Sequence, residues 1–286
     1  MRMKMHLNRT LKNKNGVTLI ELLIALVISA LLIAALYRTF IGQQKTYVVQ
    51  EQVVDTQQNV RVAINKMMRD IRMAGFGGVG DVLSQVGGVN GFTGEITLTA
   101  NSTTIVGGFR QVSTLAAEAA GGQSQVTLAS AADASQFDGA AHHFISIGGT
   151  ESNIVSSRAG ATLTLSNPLK LTHKITDQLG NPVSVPIFKI QAITYLCGVS
   201  DGKPVLQRNE NTGGGAQPLA ENIENIQFEY FDANGALTVN PANIRMVRAT
   251  VTARTDRLDP DLKIGDGFRR RTIASNIYVR NMGISQ

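Results

Sequence analysis

Residues 17–36 read VTLIELLIALVISALLIAAL, a run of 20 residues in which Glu21 carries the only charge. At about 1.5 Å of rise per residue, a helix of this length spans roughly 30 Å, which is the hydrocarbon thickness of a bilayer. The sequence therefore predicts a membrane-spanning helix near the N-terminus.

The 16 residues before this run are strongly basic and contain no acid. Their five positive charges are Arg2, Lys4, Arg9, Lys12 and Lys14. Only Arg38 and Lys45 follow soon after the run, so the positive-inside rule places the N-terminus in the cytoplasm and the body of the chain across the membrane. The formal charge of +6 belongs mostly to this tail, and nucleic acid is therefore not an expected partner.

A conventional secretory signal does not fit this pattern, because such a signal has a shorter apolar region followed by small residues at a cleavage site. A plain signal anchor, carrying a periplasmic binding domain or enzyme, is an alternative. It leaves two features unexplained, namely Gly16 at the boundary and a carboxylate, Glu21, inside the apolar run.

The segment at residues 12–36, KNKNGVTLIELLIALVISALLIAAL, resembles the N-terminal signature of type IV prepilins and of the pseudopilins of type II secretion. That signature is a basic leader, a glycine, an apolar residue, a threonine, and a glutamate within an apolar helix. The resemblance implies that a prepilin peptidase removes residues 1–16 by cutting between Gly16 and Val17, and then methylates the new amine of Val17. Val17 stands where phenylalanine is most usual in this family.

Glu21 is the residue of this segment for which a functional explanation is most needed. Placing an ionised carboxylate in lipid costs a few kcal/mol of free energy, so such a residue is expected to have a function. The resemblance implies that Glu21 pairs with the N-terminal amine of a neighbouring subunit during assembly. Four helical residues place Glu21 about 6 Å from Val17 along the helix axis, so a neighbour displaced by that distance brings the two charges together. The alternative is that Glu21 lies near the lipid headgroups and is solvated.

The helical periodicity continues beyond the apolar run as far as Ala74. Residues 17–40 form the transmembrane or filament-core half of this predicted helix, and residues 41–75 form an amphipathic half that packs on a globular head. The apolar stripe of the second half consists of Val49, Val53, Thr56, Val60, Ile64, Met67, Ile71 and Ala74. Asp70 is counted among the polar positions between them, and Gly75 is the predicted C-cap.

The rest of the chain predicts a β-rich head. Residues 76–184 form a Gly-rich variable region with short strands such as 95–100. Residues 185–286 alternate apolar and polar side chains, most clearly at 245–254, and DGK at 201–203 predicts a hairpin turn. The expected fold class is α+β, with a long N-terminal helix on a mostly antiparallel sheet, which is the architecture of pilins.

Five further segments resemble the PilW-type minor pilins and the related J-type minor pseudopilins. They are KMMRDIRMAGF at 66–76, ITYLCGVSDGKPVLQRN at 193–209, PLAENIENIQFEYFD at 218–232, RMVRATVTART at 245–255 and SNIYVRN at 275–281. The resemblance implies a minor subunit that helps to prime a type IV pilus, for motility, adhesion or DNA uptake, and lies near its tip. A minor pseudopilin of type II secretion is the alternative.

The same resemblance implies the partners and the location. The partners are other minor and major pilins, the prepilin peptidase and the assembly platform of the inner membrane. The subunit is expected to cross the bacterial inner membrane once, with its head in the periplasm, and then to reach the pilus at the cell surface.

The sequence contains no recognisable set of catalytic residues, and we expect neither an enzymatic activity nor a cofactor. His142 and His143 are adjacent, so on a strand they point to opposite faces and cannot chelate one metal together. Cys197 is the single cysteine, and a lone cysteine without a partner motif is more often a packing residue than a nucleophile.

Two charged groups near the C-terminus are the remaining candidates. Asp259, Asp261 and Asp266 suggest a calcium loop, but Lys263 breaks the EF-hand pattern. The run of three arginines at 269–271 is expected to protect a sheet edge or to pair with acids. Contact of these arginines with DNA is the alternative.

Overall fold

The computed structural model describes residues 16–259, 261–263 and 265–282. The predicted leader therefore lies outside the described residues, apart from Gly16. The chain divides into two compact units, Met1–Glu51 and Gln52–Gln286.

A single helix, α1, runs from Leu19–Arg72 over 54 residues and confirms the predicted long helix. It begins and ends two residues inside the predicted limits. At its end the amides of Met73 and Ala74 donate to carbonyls three residues earlier, which tightens the last turns. Gly75 then adopts a φ of +77°, a left-handed conformation that reverses the chain and suits glycine.

In the first unit, α1 exposes its apolar side chains. Twelve large apolar residues between Leu19 and Leu36 each expose half or more of their surface. Such a surface is unfavourable in water, so this half of the helix requires an apolar environment.

The described part of the second unit contains two sheets. The nine-stranded sheet is formed by β1 (Ile96–Thr97), β2 (Ser102–Thr114), β3 (Gln125–Thr127), β4 (Phe144–Ile147), β5 (Glu151–Ala159), β6 (Thr162–Leu165), β7 (Pro186–Ser200), β8 (Lys203–Asn209) and β9 (Ala216–Glu221). The three-stranded sheet is formed by β10 (Ile223–Phe231), β11 (Met246–Arg254) and β12 (Arg270–Tyr278). The connections include two short helices, α2 (Gly80–Leu83) and α3 (Ala131–Ala134), and 3₁₀ turns at Ser135–Phe137 and Pro241–Asn243.

The strands of the large sheet follow the order β1-β2-β7-β4-β5-β6-β3, with β8 paired to β7 and β9 paired to β8. The small sheet has the order β10-β11-β12, and neighbouring strands in both sheets are antiparallel. The α+β fold class is therefore confirmed. The expectation of short strands within 76–184 is wrong for β2, which has 13 residues and pairs with β7 along most of its length.

Two local predictions for the head are confirmed. The predicted inward-facing residues of β11, namely Val247, Ala249, Val251 and Ala253, are all fully buried. In the β7–β8 hairpin, Ser200 pairs with Lys203, which leaves Asp201 and Gly202 as a two-residue turn with φ values of 51° and 75°. Positive φ at both central positions is the signature of a type I′ turn, which Asp-Gly favours.

The second half of α1 packs on the head through its predicted stripe. Its buried residues are Thr56, Val60, Ala63, Ile64, Met67, Asp70 and Ile71. The apolar members share one hydrophobic core with residues of β7 and of all three strands of the small sheet. Each large side chain that is fully buried there contributes about 1.5–3 kcal/mol, so this contact is a main source of stability for the second unit.

Asp70 corrects the sequence prediction, because it lies on the buried side of α1 with only 3% of its surface exposed. Its Oδ2 accepts a hydrogen bond of 2.6 Å from the Tyr195 hydroxyl and one of 3.2 Å from Arg208 Nε, and Lys66 Nζ lies 3.0 Å from Oδ1. Burial and the Asp70 charge raise the pKa of Tyr195 far above its usual value, so the phenol stays protonated and donates. These three donors replace the water that the buried carboxylate loses.

We predict that Asp70→Ala lowers the free energy of unfolding of the second unit by about 3–5 kcal/mol, because Arg208 and Tyr195 lose their buried acceptor. Urea unfolding of the full chain in a non-ionic detergent, followed by near-ultraviolet circular dichroism, measures this change. Asp55→Ala is the matched control, since Asp55 is exposed on the same helix and its loss should change stability by no more than about 0.5 kcal/mol. Equal effects of the two substitutions would contradict the role of Asp70.

Candidate functional site at the start of the helix

Gly16 and Val17 lie in exposed, non-helical backbone immediately before α1. A Cβ atom placed on Gly16 would meet no atom of the described residues within 4 Å, its chain neighbours aside, and Val17 exposes 73% of its surface. The described part of the fold therefore places no steric requirement for glycine on position 16. A requirement for glycine there has to come from a molecule that approaches the backbone closely, as a protease does.

Thr18 and Glu21 form a reciprocal cap at the N-terminus of α1. The Thr18 carbonyl accepts from Leu22 N at 3.2 Å, and its Oγ1 accepts from Glu21 N at 3.3 Å. In return, Glu21 Oε2 lies 2.9 Å from both Thr18 N and Thr18 Oγ1, each of which donates to it. This is a capping box, which satisfies backbone amides that the first turn of a helix leaves without partners.

The sequence analysis did not identify the role of Thr18, although the signal was present. The spacing T-x-x-E directly before an apolar run is the pattern of a capping box. The cap uses only one carboxylate oxygen of Glu21, and Oε1 has no hydrogen-bond partner among residues 16–259, 261–263 and 265–282. Glu21 can therefore hold the helix start and still accept a donor from another molecule.

The helix that follows this cap is the one element of the described chain that is long and apolar enough to cross a membrane. None of its most apolar stretch is buried inside the protein. The first unit is therefore suited to anchoring the chain in a membrane by a single pass.

A comparison with protein families identifies this same segment. The family model described as the prokaryotic N-terminal methylation motif matches residues 11–37. This motif indicates a type IV pilin-like protein. It also supports processing of the chain by a prepilin peptidase. No curated protein and no solved structure matches the chain.

The histidines His142 and His143 and the cysteine Cys197 lie far from the N-terminal segment in sequence. His142 and His143 precede β4 and are not part of a strand. Cys197 is half-buried within β7, and burial raises the pKa of its thiol to about 11, so the thiol stays protonated and unreactive at neutral pH. The described residues include no group of three or more His, Cys, Asp or Glu side chains that could hold a metal ion.

Two of the three arginines and two of the three acids near the C-terminus are paired with one another, whereas Asp261 and Arg271 form no ion pair with any described residue. Arg269 Nε donates to Asp259 Oδ2 at 2.6 Å. Arg270 binds Glu224 through Nε at 2.6 Å and Asp266 through its terminal nitrogens at 2.6 and 2.8 Å. The hydrogen bonds from Arg270 hold the pKa of Asp266 well below its usual range. The pairs of Arg269 and Arg270 agree with the expectation that the arginines pair with acids, and Arg270 and Arg271 lie on β12, which is an edge strand of the small sheet among the described residues.

We predict that calcium leaves the melting temperature of the chain unchanged, because Asp259 and Asp266 are already neutralised by arginines. The measurement is thermal unfolding in about 5 mM calcium, a concentration that occupies even weak extracellular sites. Magnesium at the same concentration is the control for ionic strength. A rise of several degrees that is specific to calcium would contradict this interpretation of the loop.

Proposed function

We propose that this chain is a minor pilin of the PilW type, which is cut by a prepilin peptidase between Gly16 and Val17, methylated on Val17, and assembled into a type IV pilus near its tip. The observation that carries the proposal is the position of the exposed, non-helical Gly16–Val17 bond directly before an unburied apolar helix. The methylation motif matched over residues 11–37 covers the same segment.

Cleavage at this bond changes the chemistry of the helix start. It removes the five positive charges of the leader and creates a free amine on Val17. The Val17 amine is then one residue from Thr18, whose amide is already bound to Glu21 Oε2. Glu21 Oε1 is available as the acceptor for the amine of a neighbouring subunit, and the pairing would neutralise both charges as the helices leave the lipid.

The direction of insertion follows from the basic leader. We propose that residues 1–16 stay in the cytoplasm, that α1 crosses the bacterial inner membrane, and that the second unit lies in the periplasm before the subunit joins the pilus. The proposed partners are the other minor pilins, the major pilin, the prepilin peptidase and the inner-membrane assembly platform.

The proposal that the chain is a minor pilin is based on the sequence segments of its head. The segments that resemble PilW-type proteins form β8, β10 and β11 and parts of β7, β9 and β12, together with the helix end that contains Asp70. They therefore supply most of the buried residues of the hydrophobic core that joins the helix to the small sheet. A minor pseudopilin of type II secretion shares this segment pattern, and the filament with which the chain co-purifies separates the two.

The role of Glu21 can be tested with variants that change either the charge of Glu21 or the helix cap that it forms with Thr18, but not both. Glu21→Gln removes the charge, and glutamine still completes a capping box. Thr18→Ala removes the hydroxyl of the cap and keeps the charge. We predict that Glu21→Gln is processed normally, but that its amount in sheared filaments falls by about tenfold or more, because the neighbour's amine is left without a partner.

Thr18→Ala should be incorporated nearly as well as the unchanged chain. Glu51→Gln is the matched control for loss of one carboxylate, since Glu51 is exposed on the same helix. Quantitative immunoblots of membranes and of sheared filaments measure processing and incorporation separately. Normal incorporation of Glu21→Gln would contradict the proposed pairing, whereas a failure of processing in that variant would place the function of Glu21 at the peptidase.

A further inference from the structure

A polar cleft of about 550 Å³ lies in the second unit between the end of α1 and strands β2, β7 and β8. Its charged lining consists of the cations Lys66, Arg69, Arg110, Lys189 and Arg208 and the carboxylates Asp70, Asp138 and Glu210. Asp138 is already bound by Arg158, which is not part of the lining. The cleft, called the basic cleft below, therefore carries an excess of positive charge.

Two of these cations face each other in a way that sheets normally avoid. Arg110 on β2 is the direct cross-strand partner of Lys189 on β7. Like charges placed directly opposite each other destabilise a strand pair. Neither residue forms an ion pair with any described residue, and the negative charge of nearby Glu210 offsets the repulsion only in part.

A β-bulge produces this arrangement. The register of β2 against β7 shifts between Gly108 and Arg110, which leaves Phe109 as the extra residue. Without the bulge, Phe109 would stand opposite Lys189. Bulges re-aim side chains and are common beside binding sites, and this one replaces an apolar neighbour of Lys189 by a second cation.

Two cations of the basic cleft share one hydrogen-bonding residue, and one buried ring nitrogen has no partner among the described residues. Lys189 Nζ donates to the Gln136 carbonyl at 2.9 Å, and the Arg110 guanidinium contacts the side-chain oxygen of the same residue. His142 Nδ1 is buried and has no hydrogen-bond partner in the described part of the chain. Burial lowers the pKa of Lys189, and the charge of Arg110 lowers it further, while the charge of Glu210 raises it.

We propose that the basic cleft binds a small polyanion of the phosphate or polycarboxylate class, held by Arg110, Lys189 and the ring of His142. An anion with two or more charged oxygens would relieve the repulsion between the two cations and accept their free N–H groups. The cleft is concave and has the volume of a small-molecule site, whereas protein–protein contacts are typically broad surfaces. These features favour a small ligand over an acidic segment of another protein.

Isothermal titration calorimetry on the full chain in a non-ionic detergent tests the proposal, with pyrophosphate and citrate as the two probes and sodium chloride at matched ionic strength as the reference. We expect saturable binding of at least one probe. Binding of pyrophosphate alone assigns the site to phosphate groups, binding of citrate alone assigns it to carboxylates, and binding of both assigns it to their shared oxygen chemistry. Absence of saturable binding, or equal heats with sodium chloride, would overturn the proposal.

Arg110→Gln and Lys189→Gln should each weaken binding by about tenfold or more, because each removes a charged donor. Either substitution should leave the melting temperature of the ligand-free chain unchanged or raise it, since the like-charge pair is lost. Arg271→Gln is the matched control, because Arg271 is exposed on β12 and has no place in the cleft. Its affinity should stay within about twofold of the unchanged chain, and equal weakening by all three substitutions would overturn the proposal.

Discussion

The apolar surface of α1 between Leu19 and Leu36 has to be removed from water, and the organisation of the first unit follows from that constraint. Its twelve large exposed side chains forfeit about 1.5–3 kcal/mol each in water, or on the order of 20–35 kcal/mol together. That sum exceeds the net stability of about 5–15 kcal/mol of a typical domain. The helix therefore needs an apolar environment such as lipid.

Two carboxylates of the same helix, Asp70 and Glu21, lie in surroundings that disfavour a charge. They differ in how fully hydrogen bonds from their own chain compensate that charge. Asp70 is surrounded by Tyr195, Arg208 and Lys66 within its own chain, so its charge is compensated permanently. Among the described residues, Thr18 alone donates hydrogen bonds to Glu21, and these use one of its two carboxylate oxygens. A charge that is compensated internally stabilises a fold, whereas a charge that is only partly compensated can select a partner, which is the proposed role of Glu21.

Features that depend on local periodicity could be predicted from the sequence, and features that depend on distant residues could not. The limits of α1, the alternation of β11 and the Asp201-Gly202 turn are all encoded within a few neighbouring residues. The burial of Asp70 depends on Tyr195 and Arg208, which lie 125 and 138 residues away along the chain. The opposition of Arg110 and Lys189 depends on a bulge in β2, and no composition or spacing signals that bulge.

Mass spectrometry of the mature chain's N-terminal peptide, isolated from the membranes of cells that produce it, tests the central claim most directly. The account predicts a peptide that begins at Val17 and carries a methyl group on its α-amine. A chain that begins at Met1, or at a residue beyond the apolar run, would contradict the account and would favour a signal anchor or a cleaved secretory signal instead.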